Sequence, residues 1–390
     1  MLDFPANPQV GDVFQGRTWD GVKWASAGGS AGPEGPPGAD GAPGPPGADG
    51  APGPAGPPGA AAGDNRLING DMRINQRGED GYTMGVYVVD RWYWAGYSGI
   101  GGGANPIGTG ICVPMQNGPP EFPYCVGINF GSFALASTDY FVFQQSIEAD
   151  LIGDFAWGTP DAKPVTLSFW AMAYNYVGTY GGALSNTDGT RSYPFSYSLP
   201  DIQVWHKISI TIPGDQAGAW TLTGNGFGLT VVFDAASGDG YRAPAGAWVS
   251  QSLLGALGTI RLTEGGGWLY LTGFKLETGE VATPYNRKTP NESLADCQRY
   301  YQFLSGTPNL GIQGYSEGGI AYSVTIGYTT KRIKPSATIV GSFTNNNVST
   351  INLYAGVSTI LFQVLGISAG HLDCYPVNDS SGIALDAEFY

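Results

Sequence analysis

Residues 29–61 read Gly-Ser-Ala-Gly-Pro-Glu-Gly-Pro-Pro-Gly-Ala-Asp-Gly-Ala-Pro-Gly-Pro-Pro-Gly-Ala-Asp-Gly-Ala-Pro-Gly-Pro-Ala-Gly-Pro-Pro-Gly-Ala-Ala, eleven consecutive triplets that each begin with glycine. A flexible linker would share this composition but would have no reason to keep a strict period of three. Three polyproline II chains wind into a triple helix only where glycine recurs in this way, because only glycine fits at the crowded axis. The stretch therefore predicts a collagen-like triple helix over residues 28–62, and with it a homotrimer.

The predicted axis positions are Gly29, Gly32, Gly35, Gly38, Gly41, Gly44, Gly47, Gly50, Gly53, Gly56 and Gly59. At about 3 Å per residue the run would form a rod on the order of 100 Å long. Its charged residues are Glu34, Asp40 and Asp49, which are all acidic. We expect flanking domains to set the register of the three chains, because the rod offers no opposite charges to pair.

The composition of the whole chain limits the classes of partner. The 390 residues carry 18 basic and 32 acidic side chains, a net charge of −14. Such a surface repels nucleic-acid phosphates and anionic lipids, which argues against either as the main ligand. The N-terminus lacks the basic and apolar regions of a signal peptide, and no run of 18 apolar residues occurs. We expect a soluble chain without an export signal.

Cysteine and histidine are few and scattered. Cys112 and Cys125 are close enough in sequence to face each other across a hairpin, but we favour buried thiols over a disulfide for all four cysteines. His206 and His371 are the only imidazoles, and neither lies in a cluster with the spacing of a zinc site. The sequence predicts no metal and no cofactor.

Residues 1–27 predict a small hairpin. Asp20-Gly21 between alternating residues is a strong signal for a two-residue turn, which would pair Trp19 with Val22. Period two then places Trp19, Val22 and Trp24 on one face of the hairpin. So small a sheet is not stable alone, so we expect this face to be covered by symmetry mates or by a docking partner.

The remaining residues predict β structure with one short helix. Residues 63–288 contain many short alternating runs separated by turn residues, which is typical of a sandwich or jelly roll. Thr289-Pro290-Asn291-Glu292 forms a capping box, and apolar residues then follow at helical spacing for about 14 residues. Residues 306–390 return to strands, so that residues 289–390 comprise a helix and a small β domain. The fold class is mainly β.

Three blocks in this order resemble the phage tail-fibre family. The opening block is Asn65-Arg66-Leu67-Ile68-Asn69-Gly70-Asp71-Met72-Arg73-Ile74-Asn75-Gln76-Arg77-Gly78. The second is the aromatic segment Val89-Asp90-Arg91-Trp92-Tyr93-Trp94. The third is Leu276-Glu277 with Ala282-Thr283-Pro284, followed by Cys297-Gln298-Arg299-Tyr300-Tyr301. The resemblance implies a jelly roll like those of carbohydrate-binding modules, followed by a terminal β domain, and it carries over no binding residue.

Within these blocks Asp90, Arg91 and Arg73 are interpreted as a structural cluster of ion pairs and hydrogen bonds. Trp92 and Trp94 alternate with Tyr93, so two of the three rings should face the core. The segment Phe4-Pro5 with Trp19-Asp20-Gly21-Val22-Lys23-Trp24 also resembles hairpins at the virion-proximal end of such fibres, where Trp19, Val22 and Trp24 would attach the fibre.

The leading hypothesis is a trimeric virion fibre, a phage tail fibre that is assembled in the host cytoplasm and binds a host-surface glycan outside it. Loops with aromatic and amide groups, at residues 174–190, 193–197 and 344–349, suit sugar binding. We expect the receptor site in the C-terminal domain rather than the jelly roll. The candidate residues are Tyr315, Asn345, Asn346, Asn347, Tyr354 and Tyr375.

Two alternatives remain open. The first is an architectural collar, neck or head fibre without a receptor role. The second is a capsular polysaccharide depolymerase with paired carboxylates, although no constellation of acidic residues stands out and the long repeats of a β-helix are missing. We therefore expect a binding protein rather than an enzyme.

Overall fold

A computed structural model describes residues 4–26, 64–78, 84–98, 110–132, 134–264, 267–305 and 310–389. They fall into two units, one in residues 1–55 and one in residues 56–390. The predicted triple helix and all of its axis glycines lie outside the described residues. The described part is mainly β, as the sequence predicts.

The N-terminal unit is a three-stranded antiparallel sheet of β1 (Val13–Phe14), β2 (Arg17–Trp19) and β3 (Trp24–Ser26). The predicted hairpin exists, but its predicted register is wrong: Trp19 pairs with Trp24. The Asp20 carboxylate accepts hydrogen bonds from the backbone N–H groups of Val22 (2.9 Å) and Lys23 (2.7 Å), which closes a four-residue loop. Val22 is therefore 85% exposed in the turn rather than on the tryptophan face.

Two antiparallel sheets pack face to face in the second unit. One has six strands in the order β11-β10-β13-β8-β5-β4, and the other has five in the order β12-β9-β16-β7-β6. The strands are β4 (Val86–Val89), β5 (Trp92–Tyr97), β6 (Gly110–Met115), β7 (Cys125–Phe130), β8 (Tyr140–Glu148), β9 (Val165–Ala173), β10 (Gly178–Asn186), β11 (Ser192–Leu199), β12 (His206–Ile212), β13 (Phe227–Ser237) and β16 (Trp268–Thr278), with a separate short pair β14 (Arg242–Ala243) and β15 (Gly255–Ala256) and 3₁₀ turns at Ala149–Phe155, Asp239–Tyr241 and Leu262–Glu264.

Aromatic rings fill the space between the two sheets. Trp92 stacks on Phe143 with ring centroids 5.0 Å apart and lies 4.3 Å from Phe274. Trp92 and Trp94 are fully buried while Tyr93 is half-buried on the other face of β5, which confirms the predicted alternation. Aromatic side chains bury large apolar areas, so this layer supplies much of the free energy that holds the sheets together.

The predicted capping box is present at helix α1 (Pro290–Gln298). The Glu292 carboxylate accepts a hydrogen bond from the Thr289 N–H at 2.8 Å, and the Thr289 hydroxyl accepts one from the Glu292 N–H at 3.3 Å. The helix spans nine residues instead of the expected 14 or so, because Tyr301 enters a strand and pairs with Asp386.

The C-terminal domain consists of three successive three-stranded sheets in the orders β17-β25-β20, β18-β24-β21 and β19-β23-β22. Each sheet takes one strand from each of three consecutive stretches of chain, and the last stretch always lies in the middle. They are thus segments of one bent three-stranded antiparallel sheet, here called the C-terminal ribbon. Its strands are β17 (Tyr301–Ser305), β18 (Ile312–Glu317), β19 (Ala321–Gly327), β20 (Ser336–Val340), β21 (Phe343–Asn346), β22 (Val348–Ala355), β23 (Thr359–Gly366), β24 (Ala369–Pro376) and β25 (Gly382–Asp386).

Positive φ angles mark the bends of the ribbon. Gly318 (φ 82°), Gly319 (φ 64°) and Asn347 (φ 57°) lie between its second and third sheets, and Gly341 (φ 73°) lies between its first and second. Left-handed backbone is unfavourable for most residues but accessible to glycine and asparagine. The bends let buried side chains of all three central strands meet in one core, which contains Ile360, Phe362, Val364, Leu372, Cys374, Ile383 and Leu385.

All four cysteines are free and buried, which confirms the preferred interpretation. Cys112 lies opposite Ile128 and Cys125 opposite Met115, so the two thiols occupy separate rungs of the β6–β7 pair.

Candidate functional site

A groove of about 260 Å³ crosses the outer face of the six-stranded sheet. Its floor comes from neighbouring strands whose registered partners point the same way. Tyr93 lies opposite Gln144, Ser146 opposite Thr230, and Thr230 opposite Ser185. Because directly paired residues of antiparallel strands share a face, the sheet places a phenol, an amide and three hydroxyls in adjoining rows.

One wall of the groove is built by residues 238–259, here called the wall segment, which contributes Ser252 and Leu254. The segment is held on the sheet by a buried ion pair in which Arg242 lies 2.7 Å from the Asp234 carboxylate. Arg242 also donates a hydrogen bond to the Thr259 carbonyl at 2.9 Å. Because the Arg242–Asp234 ion pair fixes the wall segment on the sheet, the groove is formed before a ligand binds.

A second wall comes from the end of the C-terminal domain, through Phe389. The Tyr87 hydroxyl donates to the Phe389 carbonyl at 2.7 Å, and Arg332 donates to the Glu388 carbonyl at 2.8 Å. The Glu388 side chain is buried and pairs with Arg91, which also lines the groove. Burial raises the pKa of Glu388, against the opposing effect of the neighbouring arginines.

The groove offers groups suited to a neutral polyhydroxylated ligand. The Gln144 amide has no hydrogen-bond partner among the described residues, so it can both donate to and accept from a ligand. Burial raises the pKa of Tyr93, which keeps its phenol neutral and able to do the same. The Tyr93 ring lies 4.9 Å from the Tyr87 ring, which gives the groove an aromatic side.

Most motif residues have structural roles, as expected. The Asp90 carboxylate accepts a hydrogen bond from the Gln76 N–H at 2.9 Å. Arg73 instead pairs with Asp71 at 2.6 Å. The expected single cluster is therefore split, and Arg91 is the one of the three predicted residues that reaches the groove.

The third block, around Leu276-Glu277 and Thr283-Pro284, also has a structural role. Glu277 accepts hydrogen bonds from the Thr283 N–H (2.8 Å) and hydroxyl (2.6 Å), and it lies 3.0 Å from the buried Lys275 ammonium. Lys275 donates in turn to the Pro284 carbonyl at 3.0 Å. These bonds fix the segment that follows β16, where the chain leaves the sandwich.

The predicted receptor residues do not form one site. Tyr315 and Tyr375 project from the outer face of the β18–β24–β21 sheet, in rows next to Asn346, and are 68% and 37% exposed. Asn347 belongs to a turn, where its side chain accepts a hydrogen bond from the Ser368 N–H at 3.0 Å. Asn345 and Tyr354 occupy the other face and the neighbouring sheet, respectively.

The outer face of β18–β24–β21 is nevertheless a mixed polar and aromatic surface. His371 lies opposite Tyr315 and within 3.1 Å of the Asp373 carboxylate. All three stretches expected to be sugar-binding loops are largely strands: residues 178–186 form β10, residues 192–199 form β11, and residues 344–349 belong to β21 and β22 except for Asn347. Sequence reasoning missed the groove on the outer face of the six-stranded sheet, which the wall segment and Phe389 complete.

Within the described ranges there is no group of three or more His, Cys, Asp or Glu side chains that could hold a metal ion. In the same residues, no helix has both the length and the apolar character needed to cross a membrane.

Comparisons with known proteins gave matches among solved structures alone: no family model matches the chain, and no curated protein does. TmCBM61 in complex with β-1,4-galactotriose is 13% identical, with 55% of this chain and 99% of that chain covered and a TM-score of 0.27. The CBM22-1 xylan-binding domain of Paenibacillus barcinonensis Xyn10C is 10% identical, covering 57% and 99%, with a TM-score of 0.29. The enzymatically active domain of bacteriophage CBA120 tailspike protein 4 is 12% identical, covering 55% and 21%, with a TM-score of 0.29.

Proposed function

We propose that this chain is one subunit of a homotrimeric virion fibre, of the bacteriophage tail-fibre kind, and that its sheet groove binds a glycan of the host surface. The fibre would be assembled in the host cytoplasm and act outside it. The trimer is supported by the eleven Gly-X-Y triplets, and the fibre class by the three sequence blocks that resemble tail fibres.

The observation that carries glycan binding is the row formed by Tyr93 and Gln144 on the groove floor. A sugar ring presents hydroxyls at its edge and C–H groups on its face. The Gln144 amide, which has no partner among the described residues, and the Ser185 hydroxyl suit the edge, as do the Ser146 and Thr230 hydroxyls, which lie 3.1 Å from each other. The Tyr93 ring suits the face. Both walls are anchored by buried ion pairs, so little ordering cost remains when a ligand binds.

This proposal moves the receptor site from the ribbon to the sandwich. The six residues expected to form it are spread over different faces, whereas the groove residues converge on one concavity. Three copies on one fibre would turn modest affinity at each groove into strong attachment by avidity.

The test is binding of the purified full chain to an array of bacterial surface polysaccharides, followed by titration of the best ligand. We expect Tyr93→Ala to weaken binding to a single groove at least about tenfold, since stacking and hydrogen bonds lost in a desolvated site cost upwards of ~1.4 kcal/mol. Tyr97→Ala is the matched control, because Tyr97 lies on the same strand but is not part of the groove lining.

Equal loss in both variants, or unchanged binding by Tyr93→Ala, would remove the groove from the proposal. If the wild-type chain binds no host glycan, the architectural fibre takes its place. Oligosaccharide release measured in the same samples would instead indicate a depolymerase.

A further inference from the structure

The C-terminal ribbon contains a long stretch without charge. From Pro335 to Gly370 the chain has no Lys, Arg, His, Asp or Glu residue, although the whole chain has 18 basic and 32 acidic residues. This stretch forms β20, β21, β22 and β23. Exposed β surfaces of soluble proteins normally mix charges of both signs, which keeps them from associating.

Three strands of this stretch form an edge of the ribbon that has no charged side chain. β20, β21 and β22 are the outermost strands on one side of all three sheets of the ribbon. An outermost strand presents unpaired N–H and C=O groups, and natural proteins usually protect such edges with charged side chains, proline or bulges. β22 has eight residues and no charged side chain, and its single bulge lies at its beginning, between Val348 and Thr350.

The outer face of the β19–β23–β22 sheet is also uncharged. Leu361 lies between Thr325 and Tyr354, and the next rows contain only Ser, Gln, Asn, Ala, Leu and Thr. Tyr354 is 56% exposed, and Leu361 is only half-buried. Enrichment in aromatic residues such as tyrosine and depletion of charged residues are typical of the centre of protein interfaces.

The ribbon core is incomplete at both edges. Val324 lies opposite Phe362 and Ile339 opposite Ile383, so both share the core face of their sheets. Phe362 and Ile383 are fully buried, yet Val324 and Ile339 are 37% and 40% exposed. A second surface laid along these edges would bury this remaining apolar area and add to stability.

We infer that the uncharged outer face of the β19–β23–β22 sheet binds second copies of this chain. The inference rests on the proposed fibre, because the Gly-X-Y triplets supply the copies: a triple helix holds three identical chains side by side. With a net charge of −14 on each chain, the copies approach with least repulsion through a surface that has no acidic group. The ribbon is thus a clamp that holds the trimer independently of the rod.

The experiment places lysines on the surface in the full chain. Thr325→Lys with Tyr354→Lys flanks Leu361 with two like charges that each copy would have to desolvate. Ser209→Lys is the control, since Ser209 is also exposed and lies on an outermost strand, β12, of the sandwich. Molar mass is measured by light scattering below and above the temperature at which the triple-helix circular dichroism signal melts.

We expect the wild-type chain and Ser209→Lys to remain trimeric after the rod has melted, and the double variant to fall to the mass of one chain. Retained β circular dichroism, or the same result with Thr325→Lys alone, would show that the variant has not simply unfolded. If the wild-type chain dissociates as soon as the rod melts, or the double variant stays trimeric, the inference is wrong while the fibre proposal stands. If the wild-type chain is a monomer at every temperature, the trimeric fibre itself is wrong.

Discussion

Asp234 shows how a single buried residue shapes the groove. It lies on the outer side of β13, under the wall segment, and holds that segment through Arg242 and Ser237. Burial raises the pKa of Asp234 to about 6, although Arg242 opposes the shift. A carboxyl group with a raised pKa binds its proton more tightly in the folded than in the unfolded state, so folding becomes pH-dependent.

Asp234→Asn should remove part of that dependence. The contribution of Asp234 to the free energy of unfolding is fully present below about pH 4 and is lost as the pH rises through about 6, because the pKa is 3.8 in the unfolded chain and about 6 in the folded one. Two pKa units correspond to about 3 kcal/mol. Urea denaturation between pH 4 and pH 7 should therefore show a shallower decline for the variant than for the wild type. Asp188→Asn, at an exposed loop position, should keep the wild-type slope, and identical slopes for all three proteins would contradict the account.

At this scale the sequence predicted burial better than function. Alternation placed Trp92 and Trp94 inside and Tyr93 outside, as the structure has them. It could not show that the outward face of β5 is the floor of a groove. That depends on the wall segment and on Phe389, which are separated from Tyr93 by about 150 and 300 residues and meet it only through tertiary contacts.

Strands and helices also depend on tertiary contacts that the local sequence pattern does not show. The sequence predicts a loop over residues 174–190, yet Gly181 and Gly182 in this stretch lie within β10. A Cβ at Gly182 would come within 2.1 Å of the Val232 carbonyl oxygen, so glycine is required there by a close neighbouring strand and not by a turn. Helix α1 was predicted from local signals and was correct at its capped start, but strand pairing to β25 ended it early.

The N-terminal sheet permits a sharper test of virion attachment than removal of its tryptophans. Trp24 packs on Phe4, Phe14 and Trp19 at centroid distances of 5.5–6.2 Å, so Trp24→Ala would unfold the sheet itself, at ~3–5 kcal/mol. Val22 is exposed in the turn and contributes little to folding. If the turn docks on the particle, Val22→Asp should leave the trimer intact and abolish its incorporation into virions.

Incorporation is measured by quantitative immunoblotting of purified particles. Val281→Asp is the matched control, because Val281 is 75% exposed in the sandwich and has no assigned contact with the particle. Wild-type incorporation of the Val22→Asp chain would show that attachment uses another surface.

At the scale of the whole molecule, ion pairs and an arginine–tyrosine stack join the sandwich to the ribbon. Arg77 lies 3.1 Å from Asp386, and its guanidinium stacks 3.7 Å from the centre of the Tyr301 ring. Arg299 binds Glu148 of the sandwich through two hydrogen bonds of 2.8 and 2.9 Å. These partly buried pairs, together with the fully buried pair of Arg91 and Glu388, favour a single fixed arrangement of the two domains, since separating them would leave charges unpaired.

If the sandwich and the ribbon have one fixed arrangement, the groove and the proposed trimer contact keep a constant relative position. The groove takes Phe389 as a wall, and the ribbon that ends in Phe389 is the proposed clamp between copies. Three grooves would then be held at set positions around one axis, which suits simultaneous attachment to a repeating surface polymer.

Immunoelectron microscopy of the virus particles that carry this chain tests the central claim most directly. Antibodies against residues 64–389 should label the free ends of a tail appendage, about 100 Å or more from its base, as the length of the predicted triple helix requires. Label at a collar, neck or head would replace the tail fibre with an architectural one, and particles that carry no label at all would contradict the account.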